Sequence, residues 1–270
     1  MVGETAITGI AAGVPFLVVP PSDGTADAPV VVAWHLMDPP RTEAALASAL
    51  PLDGLDAWRV YLGLPLHGSR FPDGGVEELM RLGYEDAVLK LYAPSILGAA
   101  EEAVPALAAL RAAHGIADGP LAVLGGSAGA AVAQLVAVEA GLGVRAAVLV
   151  SPVVRLRPIV AAVGRALGVT YEWTEASDAV ADRLDFVARA GALHGTDVLL
   201  VVGEDDDREG VLGPAAELRE ALGERAELVT VAGMAHALAD EPGVDPAPQV
   251  PHAATVDSHA SAWLAARLGA

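Results

Sequence analysis

The sequence predicts a doubly wound α/β fold, a mostly parallel β-sheet with helices on both faces. Short Val-, Leu- and Ala-rich runs without polar alternation mark strands covered on both sides. Helical patterns alternate with those runs, the signature of strand–helix–strand units. The chain has 270 residues, enough for one large α/β domain, with 53% hydrophobic residues to fill its core.

The predicted strands are Val14–Val19, Val30–Trp34, Trp58–Leu62, Leu121–Leu124, Ala146–Val150, Val198–Val202 and Leu228–Val231. Helices are predicted over Arg41–Leu50, Val76–Leu91, Ile96–His114, Ala128–Ala140, Glu209–Leu222 and Ala253–Leu268, with a break near Pro94, which cannot continue a helix. Between Ser151 and Asp197 the chain is longer than one crossover helix needs. Arg155–Leu167 and Ser177–Gly191 read as helices there, so residues 152–196 are expected to form a small helical cap on a single domain spanning 1–270. The Gly- and Pro-rich stretch Leu64–Gly75 reads as a loop on the rim of the crevice at the strand ends.

Composition closes off several functions. The formal net charge of −19 disfavours phosphate backbones and anionic lipid heads, so neither nucleic acid nor membrane is expected as a partner. There is no cysteine, which excludes disulfides, thiolate metal sites and a cysteine nucleophile. The first residues, Met1–Thr5, lack the basic and apolar pattern of a secretory leader, and no apolar run reaches the roughly 20 residues of a membrane span. A cytoplasmic location is the expectation; oligomeric state is not legible.

The chemistry centres on Gly125-Gly126-Ser127-Ala128-Gly129. Glycine is abundant, 29 of 270 residues, so the pentapeptide alone is weak evidence. Its setting carries more weight. A strand runs into the Gly-x-Ser-x-Gly turn, and a small-residue helix opens directly after it. A serine in such a turn projects its hydroxyl above the sheet, flanking glycines let strand and helix pass closely, and the helix N-terminus favours developing negative charge. The competing assignment, a phosphate-binding glycine loop, fits Gly125-x-Ser127-x-x-Ala130 poorly.

On these residues the chain resembles the α/β-hydrolase superfamily over nearly its whole length, most closely small bacterial serine esterases and peptidase-like hydrolases. The resemblance implies an acid and then a histidine downstream of Ser127. Val198–Val202 ends in Gly203 and the acidic run Glu204-Asp205-Asp206-Asp207, where the family pattern points to Asp206 with Asp205 and Asp207 as competitors. The loop Gly233-Met234-Ala235-His236 follows the last strand and points to His236 as general base. The same resemblance puts an oxyanion hole at the amides of Ala128 and Met37, in the loop Trp34-His-Leu-Met-Asp-Pro-Pro40, where Leu36 stands in place of the family's usual glycine and is the second candidate donor. His35 reads as structural. Leu36, His67, Phe71, Tyr171 and Trp173 are candidate substrate contacts.

The expected function is cleavage of a small-molecule carboxylic ester through an acyl-enzyme, with no cofactor and no metal. The same triad would serve a thioesterase, amidase, peptidase or acyltransferase. A non-catalytic binding protein of this fold is the remaining alternative. Ser127 in place of a carboxylate argues against dehalogenase and epoxide hydrolase chemistry.

Overall fold

A computed structural model describes residues 6–22 and 24–269. Met1–Thr5, the stretch read for a leader, lies outside the described residues. The strands are β1 (Ile7–Ala11), β2 (Val14–Val19), β3 (Val30–Trp34), β4 (Trp58–Leu62), β5 (Leu121–Gly126), β6 (Ala146–Val150), β7 (Asp197–Gly203) and β8 (Ala226–Val231). They form one eight-stranded sheet in the order β1-β2-β4-β3-β5-β6-β7-β8. β2 pairs antiparallel with both β1 and β4, and every other pairing is parallel.

The absence of polar alternation has its expected cause: successive side chains of a strand enter different cores. Val30, Val32 and Trp34 of β3 join one apolar cluster, Val31 and Ala33 the other. The first cluster is covered by α3 (Ala93–His114), α4 (Ala128–Glu139) and α7 (Gly213–Leu222); the second by α1 (Glu43–Ala49) and α8 (Pro251–Leu268). The two faces are thereby wound with helices, as the alternation predicts.

The structure corrects three element assignments. β1 does not read as a strand in the sequence, because four of its five residues are exposed and no buried apolar run marks it. It exists as one arm of a hairpin closed by Ala12 and Gly13, both at positive φ (49° and 86°). The helical break falls at Asp86 rather than near Pro94. α2 (Gly75–Asp86) ends there, a π-helical stretch runs over Ala87–Tyr92, and Pro94 lies just after the junction where that stretch continues into α3. The helix predicted over Ser177–Gly191 is shorter: α6 spans Glu175–Arg183. It stops because the chain turns back to form an antiparallel bridge between Asp185 and Arg155, with the Phe186 amide donating to the Val154 carbonyl at 3.0 Å.

Between β6 and β7 lie α5 (Leu156–Leu167) and α6. α5 packs on the π-helical turn Arg208–Leu212 that follows the acidic loop; Ile159 and Ala162 lie against Gly210. Tyr171, between α5 and α6, donates its hydroxyl to the Asp86 carboxylate at 2.7 Å and so ties this segment to the end of α2. Among the described residues no helix is long and apolar enough to cross a membrane.

Candidate active site

Loops after β3, β5, β7 and β8 meet at the carboxyl ends of the parallel strands, where an open α/β sheet leaves its crevice. β5 delivers Ser127. Its φ of 49° and ψ of −116° put it in a turn between Gly126, the last strand residue, and Ala128, the first helical one. Non-glycine residues rarely adopt this backbone, and here neighbours impose it. The Ser127 amide donates to the Val150 carbonyl at 2.9 Å, and the Ser127 carbonyl accepts from Val153 at 3.2 Å. The flanking glycines are required by close approach. A Cβ on Gly125 would sit 2.1 Å from the Gly129 carbonyl oxygen, and one on Gly129 would sit 2.3 Å from the Trp34 carbonyl oxygen.

β7 and β8 deliver the acid and the histidine. The Asp205 amide donates to the Met234 carbonyl at 2.9 Å and the Glu204 amide to the Val231 carbonyl at 3.0 Å, locking the two loops together. His236 Nδ1 lies 3.0 and 2.9 Å from the two Asp206 carboxylate oxygens, and its Nε2 lies 2.8 Å from Ser127 Oγ. A carboxylate can only accept, so Nδ1 carries the proton and Nε2 is free to accept from the serine hydroxyl. Neither competitor hydrogen-bonds the ring. Asp207 caps the following turn through the Gly210 amide at 2.5 Å, and Asp205 is exposed. Burial works against a charged His236, but the hydrogen bond and charge of Asp206, followed by the charges of Asp38 and Asp207, outweigh it and hold the imidazole above its usual pKa of 6.5.

The β3 loop is built around His35, which is fully buried. The Leu64 amide donates to His35 Nε2 at 3.0 Å, so the ring proton is on Nδ1 and is donated to the Leu36 carbonyl at 2.6 Å. Burial, the largest influence, pushes this histidine down to about 3, and it is neutral at any ordinary pH. With the Leu36 carbonyl turned toward His35, the trans geometry of the peptide points the Met37 N–H the opposite way. The Met37 carbonyl is itself held by Arg41 Nε at 3.0 Å.

Leu36 requires a correction. It is not a pocket residue: its side chain is completely buried in the core shared with α1 and α8. The reason lies in the elbow. A Cβ on Gly126 would come within 2.2 Å of Leu36 Cδ1, so the absent side chain at 126 makes the room that Leu36 fills. The departure from glycine at 36 is matched by a glycine at 126.

No protein-family model matches the chain, and no curated protein matches it. Solved structures do. TT1662 from Thermus thermophilus superposes with a TM-score of 0.67 at 20% identity, over 98% of this chain and 99% of that one. A cold-adapted esterase from an Arctic intertidal metagenomic library superposes with a TM-score of 0.60 at 18% identity, over 97% of this chain and 93% of that one. A puromycin-hydrolyzing peptidase of Mycobacterium tuberculosis gives 0.67 at 16% identity, over 98% of this chain but 39% of the peptidase. The chain has the α/β-hydrolase fold.

In this α/β-hydrolase fold the remaining predicted contacts are scattered. His67 is buried, 2% exposed, and not on an open rim as the glycine-rich loop suggested. Its Nδ1 donates to the Pro65 carbonyl at 2.9 Å, and its ring meets those of His35 and Phe71 at 6.4 and 6.3 Å. Tyr171 and Trp173 are half-buried and packed edge to face at 4.9 Å, with Arg157 over the Trp173 ring. Among the described residues no group of three or more His, Asp or Glu side chains is arranged to hold a metal ion.

One residue at the site escaped sequence reasoning. Asp38 Oδ2 lies 3.7 Å from His236 Nε2, on the serine-facing side of the ring, with its side chain 54% exposed. The available signal was its place, immediately after Met37 in the loop that follows β3.

Proposed function

We propose that the protein is a serine hydrolase that cleaves carboxylic esters through an acyl-enzyme. Ser127 Oγ attacks the ester carbonyl while His236 Nε2 takes the hydroxyl proton. Asp206 holds the ring in the required tautomer and stabilises the imidazolium. The amides of Ala128 and Met37 donate to the oxyanion of the tetrahedral intermediate. His236 returns the proton to the departing alkoxide, and a water molecule, deprotonated by the same nitrogen, then releases the acyl group and regenerates Ser127.

The observation that carries the reading is the unbroken chain of hydrogen bonds from Ser127 Oγ through both His236 nitrogens to Asp206, at 2.8 and 2.9 Å. The orientation of the Met37 N–H favours it over Leu36 as the loop's donor. The non-catalytic alternative has no account of why a strained serine, a histidine above its usual pKa and a buried carboxylate should be aligned. Residues 152–196, resting on the turn after the acidic loop, are the proposed cap that shapes the substrate pocket.

A fluorophosphonate probe should label Ser127, and labelling should vanish in a folded Ser127→Ala variant. Wild-type protein that is folded yet unlabelled would overturn the reading. A panel of p-nitrophenyl esters and acyl thioesters then ranks ester against thioester chemistry.

A further inference from the structure

We propose that Asp38 makes the enzyme selective for leaving groups that carry a positive charge a few bonds from the scissile oxygen, such as esters of amino alcohols. The inference rests on the acyl-transfer reading above, because it uses the identity of the nitrogen that serves the leaving group.

His236 Nε2 must approach the leaving-group oxygen to about 3 Å in order to protonate it. Asp38 Oδ2 is 3.7 Å from that same nitrogen. The leaving oxygen and the Asp38 carboxylate are therefore no more than about 7 Å apart in any productive complex. A cation two or three bonds beyond the oxygen falls within reach of the carboxylate. The acyl group has no such constraint, so the selectivity belongs to the alcohol side.

The charge at Asp38 is not spent within the protein. Among the described residues its carboxylate makes no hydrogen bond, the titratable side chain within 4 Å of it is that of His236, and Arg41 feels its charge from farther away. The nearby cation, Arg41, is already committed: it forms two bonds to the Glu241 carboxylate, at 2.5 and 3.0 Å, and donates to the Met37 and Pro242 carbonyls. Asp206, by contrast, is buried, 3% exposed, and accepts from His236 and from the Asp207 amide at 2.7 Å. Asp38 is the carboxylate at the serine that faces outward. It is built into the loop that also carries the Met37 amide, so its backbone is placed together with that amide. During the reaction it also offsets the imidazolium charge that would otherwise repel a cationic alcohol.

Two methylphosphonate thioesters test this, identical except for the leaving group: thiocholine in one, its uncharged carbon isostere 3,3-dimethylbutanethiol in the other. Both phosphonylate the active serine with release of the thiol, so no acyl preference intervenes. Wild-type protein should favour the thiocholine probe by about two- to fivefold beyond the ratio the two probes show with free hydroxide, as expected for one half-exposed charge pair. The ratio should shrink as NaCl is raised. In Asp38→Asn, an isosteric change at a side chain without structural hydrogen bonds, the ratio should fall to the value the two probes show with free hydroxide, because the ammonium makes thiocholine the better leaving group by itself; in Asp38→Lys it should fall below that value. A change in the basicity of His236 alters both rates alike and cancels in the ratio, so the ratio separates charge recognition from a general effect on the base. A wild-type ratio no greater than the hydroxide ratio, or a ratio untouched by Asp38→Asn, would overturn the proposal while leaving Ser127 an active nucleophile. Failure of both probes, and of the fluorophosphonate, to modify folded protein sinks the acyl-transfer reading and the role of Asp38 together.

Discussion

His35 and His236 each follow a parallel strand at the same end of the sheet, after β3 and β8, and their environments drive them in opposite directions. His35 meets a carbonyl, an amide and no carboxylate, so burial dominates and the ring stays neutral down to about 3. His236 meets Asp206, Asp38 and Asp207, and their negative charge overcomes its burial. Both imidazoles carry their proton on Nδ1, and in both the acceptor of that proton fixes the ring. A carbonyl acceptor makes a strut; a carboxylate acceptor makes a base.

Substitutions at the base should do the most damage to activity. His236→Ala should lower kcat/KM on a p-nitrophenyl ester by about 10⁴-fold with little change in thermal stability. Retention of activity within tenfold of wild type would remove His236 from the mechanism. Replacement of its partner separates the acidic run. Asp206→Asn should cost between about 10² and 10⁴-fold in kcat, because the amide supports the wrong tautomer, while Asp205→Asn and Asp207→Asn stay within a few fold of wild type. Comparable losses at all three positions would mean that the loop, and not one carboxylate, matters.

At the strut the effect should appear in folding. His35→Ala strips the Leu64 amide and the Leu36 carbonyl of their buried partner and should destabilise the protein by about 2–4 kcal/mol in urea titration. The sign of the pH dependence follows from its depressed pKa. Between 6.5 and about 3 the unfolded chain takes up a proton that the folded chain refuses, so this residue makes stability fall as pH falls. His236 has the opposite sign: its raised pKa contributes stability at low pH that is lost as pH rises through the folded value. His35→Ala should therefore flatten the acid loss of stability, and His236→Ala should steepen it.

The smallest effect concerns the pH profile. The base must be neutral to act, so kcat/KM should rise through a midpoint above 6.5. The charges of Asp206, Asp38 and Asp207 all raise the His236 pKa, and removing any one of them lowers it. Asp38→Asn should move the midpoint to lower pH without abolishing activity; a midpoint shifted upward would contradict the charge assignment.

The strands buried on both faces were legible because a parallel sheet demands apolar residues at every position, and the order of Ser127, Asp206 and His236 was legible because each follows such a strand. β1 was not, since an exposed hairpin arm needs no apolar signature. The helix boundary at Asp86 was hidden because a π-helical stretch keeps helical composition while changing the hydrogen bonding.

The sequence by itself determined the buried strands of the sheet, the proposed nucleophile Ser127 and the order of the acidic and histidine loops after it, all properties of local pattern and chain order. Tertiary structure alone decided among the three adjacent aspartates, since only one carboxylate can face Nδ1 of a ring contributed by another strand. It decided the meaning of Leu36, whose side chain is admitted by an absent Cβ at Gly126, distant in sequence and in contact in space. It also brought Asp38 to His236, two charges whose interaction depends on a separation of 3.7 Å that no spacing along the chain encodes.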